Sequence, residues 1–185
     1  GTVLGWVASR FWVVETLLRP ITAVIKATPV ASFIILVLLW FSGKNLSVII
    51  SMLMVFPVIY MNVLEGIRSA DEKLLEMAQV FRLSVSKKLL YIYLPAVAPF
   101  FVSACSVSLG LCWKSGIAAE VIGTPDGSIG AVFYQAKIFL QTSELLAWTV
   151  VVVAVSVAFE KLFMFLLRLI LKKLKMEDVL NGKRA

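Results

Sequence analysis

Histidine is absent from the 185-residue chain, and cysteine occurs twice. Without an imidazole, His-dependent acid–base catalysis and most zinc sites are excluded, so neither catalytic nor metal-ligating residues are expected. Cys105 and Cys112 fall seven residues apart in one apolar run. A helix there places them on roughly one face, about two turns apart and beyond disulfide reach, so they read as small core residues. No G-x-x-x-x-G-K-[ST] phosphate loop occurs, so any use of ATP falls to another chain. Charge is also scarce: 16% of residues are charged, against about a quarter in soluble domains.

The chain is apolar instead. Hydrophobic residues make up 61% of it, against about half in a soluble domain, which points to an all-α polytopic membrane helix bundle forming a single domain over 1–185. Residues 45–64, 89–113, 27–43 and 145–159 are uncharged runs of 20, 25, 17 and 15 residues. About 20 apolar residues cross the hydrocarbon layer as a helix. Crossings are therefore expected near 28–43, 46–66, 96–116 and 145–168, with a partial one at 1–14. The chain opens with Gly inside an apolar segment and lacks the basic start and small-residue cleavage site of a signal peptide. An earlier N-terminal helix is expected to precede it.

Lysine and arginine set the orientation. With the Gly43–Lys44–Asn45 turn outside, 14 basic residues fall inside: Arg10, Arg19, Lys26, Arg68, Lys73, Arg82, Lys87 and Lys88, together with Arg168 at the end of the last crossing and Lys172, Lys173, Lys175, Lys183 and Arg184 of the 169–185 tail. Only two, Lys44 and Lys137, fall outside, and Lys114 and Lys161 lie in or near crossings. The net charge of +7 thus follows from topology. Basic residues scattered over loops do not make a nucleic-acid-binding face.

The loop at 68–95 is then cytoplasmic, and it is the least apolar internal stretch. Ser69-Ala70-Asp71-Glu72 fits a capping box with Ser69 as N-cap. Leu74, Ala78 and Phe81 recur at helical spacing, with Met77 beside them, while Glu72, Lys73, Glu76 and Gln79 fall largely opposite. Arg82 suits the end of that helix. Ser84 suits the start of a second short helix, held at the lipid surface by Lys87 and Lys88. Pro95 disfavours helical backbone at Leu94 and is expected to form an elbow into the next crossing.

Glu76-Met77-Ala78, Ile92 and Leu94-Pro95 resemble the EAA loop of binding-protein-dependent ABC importer permeases, whose pattern is E-A-A, three residues, G, nine residues, I, one residue, L-P. Two positions depart: Met77 replaces the middle Ala, and Arg82 stands where the family has Gly. Because Arg is uncomfortable at positive φ, the turn is expected to shift toward Leu83 and Ser84. "RPITAVIKATPVASFIILVLLWFSGKN", "VFPVIYMNVLEGI" and "AAEVIGTPDGSIG" resemble further stretches of the nitrate/sulfonate/taurine branch, so the likeness runs from about Arg19 to Arg168.

The resemblance implies a type I importer permease fold whose cytoplasmic coupling-helix elbow docks on a separate ABC ATP-binding subunit. It implies a second permease subunit (a homodimer), an extracytoplasmic substrate-binding protein, and a multi-pass place in the inner or plasma membrane of a prokaryote. It implies no cofactor of the chain's own, ATP and magnesium being held by the ATPase. Glu76, Met77, Ala78, Arg82, Ile92, Leu94 and Pro95 would carry the coupling. Glu76 would make a polar contact in the ATPase groove, Ala78 would keep the helix slim enough to seat, and Leu94-Pro95 would transmit force. The cargo would be a small anionic solute such as a sulfonate, taurine or nitrate.

Three residues are candidates for the substrate pathway. Ser106 and Gly110 form a small-xxx-small pair, as do Ala104 and Ser108, and such pairs serve either close helix approach or a pathway wall. Lys114 near a helix end either meets an anionic substrate or snorkels to headgroups. Glu160 and Lys161 point away from each other on a helix and receive no transport role. Gly123 to Gly130, rich in turn formers, is either an outer docking element or a connector, followed by a short surface helix. An ATP-independent channel or secondary transporter is the alternative, one that needs no cytoplasmic elbow. An intramembrane enzyme would need a convergent set of catalytic side chains that the crossings lack.

Overall fold

Nine α-helices and no strand occur among the described residues of the computed structural model, which covers 1–41 and 43–173 and gives only the backbone of Lys44. Lys175, Lys183 and Arg184 of the expected basic tail lie outside that range. The order is α1 (Thr2–Arg10), α2 (Trp12–Ala27), α3 (Val30–Trp40), a 3-10 turn (Gly43–Asn45), α4 (Leu46–Arg68), α5 (Glu72–Val80), α6 (Val85–Lys88), a π-helical turn (Leu89–Tyr93), α7 (Leu94–Gly123), α8 (Ile129–Ile138) and α9 (Thr142–Lys173).

Three helices are long and apolar enough to cross a membrane: Leu46–Arg68, the continuous Val85–Gly123, and Thr142–Lys173. Each exceeds the expected crossing, because apolar sequence runs on past the charges that bounded 46–66, 96–116 and 145–168. The region at 28–43 differs in kind. Pro29 holds its own backbone extended (φ −58°, ψ 136°), so α3 starts only at Val30 and has 11 residues. That is about 16 Å of helix, half of what a crossing requires. It pairs with α2 across a 107° bend, as a broken span or a re-entrant pair. The partial crossing expected over 1–14 stops at Arg10, where Phe11 turns extended.

The chain divides into two compact units. One comprises Pro20–Pro57 and Ser108–Leu162. Its core gathers Ile25, Ile34, Leu46, Ile50, Met54 and Ala119, with Ile34, Leu46 and Ile50 fully buried. Burying a Leu or Ile side chain contributes about 1.5–3 kcal/mol, so this apolar cluster sets the unit's register. Ser51 Oγ donates to the Cys112 carbonyl at 3.2 Å, adding a polar tie between α4 and α7.

The other unit comprises, among the described residues, Gly1–Arg19, Val58–Val107 and residues 163–173. Two small-residue clusters organise it: Ala70, Ala78, Ile92 and Ala96, and Ala98 with Leu171, Leu94, Val102 and Leu167. Gly66 is required where α4 meets α7, since a Cβ there would sit 2.9 Å from Val97 Cα. Arg68 Nη2 pairs with Glu15 Oε2 at 2.5 Å, joining the last turn of α4 to α2. Arg68 is half exposed, so the pair contributes at most about 1 kcal/mol.

Candidate functional site: the 68–95 loop and the α7–α9 cavity

The helix α5 begins two residues later than a capping box at Ser69 requires. Asp71 is the N-cap, accepting from the Lys73 amide at 2.9 Å. Ser69 instead donates back to the Gly66 carbonyl at 2.9 Å, closing α4. A carboxylate at the N-cap satisfies a free amide and faces the positive end of the helix, which is why Asp71 displaces Ser69.

At the other end Arg82 itself takes the left-handed conformation, with φ at 49°. The turn has not moved to Leu83 or Ser84. The Leu83 amide reaches the Ala78 carbonyl (2.9 Å) and the Arg82 amide reaches Gln79 (3.0 Å). These two bonds form a Schellman cap, a motif that wants a left-handed residue at the position Arg82 holds. Two carbonyls satisfied outweigh the roughly 1 kcal/mol that a non-glycine residue loses there. Ser84 starts α6 by backbone position, without a side-chain cap bond.

No elbow forms at Pro95. Leu94 is helical (φ −63°, ψ −44°), and helix runs unbroken from Val85 to Gly123. The irregularity lies one turn earlier, in the π turn, where the Leu94 amide bonds back to Leu89. Proline lacks an N–H and crowds the carbonyl four residues before it; a widened turn immediately upstream relieves both. The sharp change of direction is at Phe81–Ser84.

The candidate coupling residues therefore divide. Ala78 (0% exposed) and Ile92 are buried against each other's cluster, with Leu75, Leu83 and Tyr93 packed around. Ala78 keeps α5 close to its own chain, so it is not the surface that a partner would touch. Glu76, Met77 and Arg82 are exposed, and Leu94 and Pro95 are half-buried. The outward face also carries Val80 (79% exposed), which motif matching overlooked, and Phe81 (72%), which the helical spacing sets on the Ala78 face but which the structure exposes. Their apolar character in a charged loop was the available signal. Glu76 lines a polar groove of about 530 Å³ with Arg10, Glu72, Gln79 and Lys88.

The pathway candidates separate as well. Ser106 is half-buried and lies in the unit that holds the 68–95 loop, whereas Gly110 and Lys114 belong to the other unit and line one cavity of about 550 Å³. Trp113, Phe133, Thr149, Ser156 and Glu160 complete much of its wall. A Cβ on Gly110 would meet nothing within 4 Å, so this glycine opens space. Ala104 and Ser108 are buried, making that pair a packing stripe. The polar stripe Thr149, Ser156 and Glu160, at helical spacing in an apolar helix, was legible in the sequence. Adjacency to Lys161 obscured it.

Relatives place this geometry in context. An aliphatic sulfonates transport permease protein by name, SsuC of Bacillus subtilis (strain 168), is 29% identical over 174 residues, 93% of this chain and 62% of that protein. The protein of the same name from Escherichia coli (strain K12) is 37% identical over 145 residues, covering 76% and 51%. The taurine transport system permease protein TauC of Escherichia coli (strain K12) is 27% identical over 148 residues, covering 80% and 54%. The chain thus spans between half and two-thirds of the length of these relatives. A family profile described as binding-protein-dependent transport system inner membrane component matches residues 1–176. Taken with the all-α fold and its apolar helices, that match makes the chain a member of the binding-protein-dependent transport system inner membrane component family.

Proposed function

We propose that the chain is the permease subunit of an ABC importer. It forms part of the path for a small solute bearing an acidic group, and it couples that path to ATP hydrolysis by a separate cytoplasmic subunit. A second permease copy and an extracytoplasmic binding protein complete the assembly. The relatives named above for sulfonates and taurine support this solute class.

One observation carries the coupling role. Helix α5 is tied to its own chain through Ala78, yet its opposite face leaves Met77, Val80 and Phe81 exposed beside Glu76. Exposed large apolar side chains on a short capped helix, in a charged loop between long apolar helices, are the anchors that a helix-in-groove interface uses. The positive-inside pattern puts this loop on the side where an ATPase would be found.

Charge reversal tests the role. Glu76→Lys should lose ATP-driven uptake in reconstituted vesicles while the protein still inserts in normal yield. Normal uptake by that variant, or failure of any ATPase subunit to co-purify with the parent chain, would falsify the coupling role.

A further inference from the structure

Two grooves of one compact unit meet at Tyr93. The first, of about 590 Å³, is walled almost wholly by apolar side chains, Trp6, Val63, Leu89, Leu90 and Val97 among them. The second is the polar groove of about 530 Å³ that holds Arg10, Glu72, Glu76, Gln79 and Lys88. Tyr93 belongs to both walls. Two segments pass from one groove to the other in the same sense. On α1, Trp6 lines the apolar groove, and Arg10, one turn on along the same face, lines the polar one. Opposite them, Lys88 lines the polar groove and its neighbour Leu89 the apolar one. Trp and Tyr favour the level where headgroups meet hydrocarbon. Trp6 and Tyr93 therefore set that level at the boundary between the grooves. The apolar groove then reaches toward the acyl layer along Val63 of α4 and Val97 of α7.

The charges of the polar groove decide what it can hold. Glu72, Leu75, Glu76 and Gln79 recur at i, i+3, i+4 and i+7, so α5 turns one face to it, distinct from the face that exposes Met77, Val80 and Phe81. Arg10 and Lys88 stand in the same wall. None of these four charged groups has a hydrogen-bond or ion-pair partner among the described residues. A purely basic pocket at this level would take an acidic lipid headgroup, but here two carboxylates would repel it. A headgroup with a phosphate and a primary ammonium meets both signs. Its phosphate accepts from Arg10 and Lys88, and its ammonium offers three donors to the carboxylates. A trimethylammonium headgroup carries the same charges but has no hydrogen to donate. An acyl chain attached to the headgroup passes Tyr93 into the apolar groove.

We propose that the paired grooves seat one aminophospholipid, its headgroup among α1, α5 and α6 and an acyl chain beside Trp6. Such a seat needs only a chain that spans a membrane, and it does not depend on the importer reading.

For the test, the chain is reconstituted in phosphatidylcholine vesicles that contain one lipid with brominated acyl chains: phosphatidylethanolamine, phosphatidylcholine or phosphatidylglycerol. Bromine quenches a tryptophan that it reaches, and the Trp6 share is the difference between the parent and Trp6→Phe. The ethanolamine lipid should quench Trp6 at a mole fraction at least about threefold lower than either of the others, the size of effect that exposed ion pairs supply. Glu72→Gln should narrow its lead over the glycerol lipid, and Arg10→Gln should weaken both. Native mass spectrometry of the parent protein, released from nanodiscs holding the three lipids in equal parts, gives a readout that needs no variant to fold. The lipid retained should be the ethanolamine one. Equal quenching or retention of all three, a lead for the glycerol lipid, or no quenching of Trp6 overturns the proposal. Failure of an ATPase subunit to co-purify strikes the importer reading and leaves these measurements unchanged.

Discussion

Helices α5 and α8 are built alike and anchored differently. Each is a short link between long helices, with a side-chain N-cap: Asp71 accepts from Lys73 in one, Ser128 from Ala131 in the other. Each ends on an exposed phenylalanine followed by a left-handed, non-glycine residue, Phe81-Arg82 and Phe139-Leu140, with φ at 49° and 54°. The closing bonds correspond as well: Leu83 to Ala78, and Gln141 to Ala136. The anchors diverge. The first helix is held near its C-terminal end, by Ala78 in a side-chain cluster. The second is held twice: at its start Gly130 lies against the backbone of α7 and donates to Glu120 Oε2 at 3.2 Å, and near its end Ala136, the counterpart of Ala78, is buried. A helix pinned only near its end leaves its first turn and outer face open, whereas one pinned at its start as well leaves only its last residues free. Identical local chemistry thus yields two different exposed surfaces.

Three sets of substitutions break or sharpen that comparison. The largest effect is expected at the anchor of α8. A Cβ on Gly130 would lie 2.2 Å from Glu120 Cβ and 2.4 Å from its carbonyl carbon. Gly130→Val should therefore cost about 3 kcal/mol or more, seen as a lowered thermal midpoint or lost yield. An unchanged midpoint would mean that α8 is not held there. Next are the N-caps. Asp71→Ala and Ser128→Ala should each cost about 1 kcal/mol, and hydrogen exchange confined to the first turn of α5 or α8 would locate the loss. Unequal losses would show that the two starts are not equivalent. The smallest effect is a gain. Arg82→Gly and Leu140→Gly should each stabilise by about 0.5 kcal/mol, since glycine takes the left-handed position without a side-chain clash and offsets its extra unfolded-state entropy. If Arg82→Gly destabilises, the guanidinium makes a contact that its exposure conceals.

Much of this was legible in the sequence. The uncharged runs marked α4, α7 and α9, because length and apolarity alone decide whether a helix can cross. The spacing from Glu76 to Pro95 located the loop. What the sequence concealed depended on competition between neighbours. Asp71 and Ser69 both suit an N-cap, and only the closure of α4 shows that Ser69 is engaged elsewhere. Pro95 signals a break, but a wide turn upstream absorbs it. Arg82 looked too bulky for the left-handed position, yet two cap bonds hold it there. In the α7–α9 cavity, Lys114 was noticed as a solitary charge. Glu160 has Lys161 as its sequence neighbour, but it shares a cavity wall with Ser156 and Thr149, about one and about three turns away along α9.

The π turn at Leu89–Tyr93 has a consequence for chain length. It accommodates one residue more than a regular coil would, so it works as a shim: everything from Pro95 to Val107 is rotated by about 100° from where an unbroken 3.6-residue repeat would set it. Deleting a single amino acid in that stretch would let the coil close to its ordinary pitch. It would leave Ala96 and Ala98 facing the neighbours they now fit, so the segment can lose that one position, whereas adding one would turn them by about 100°.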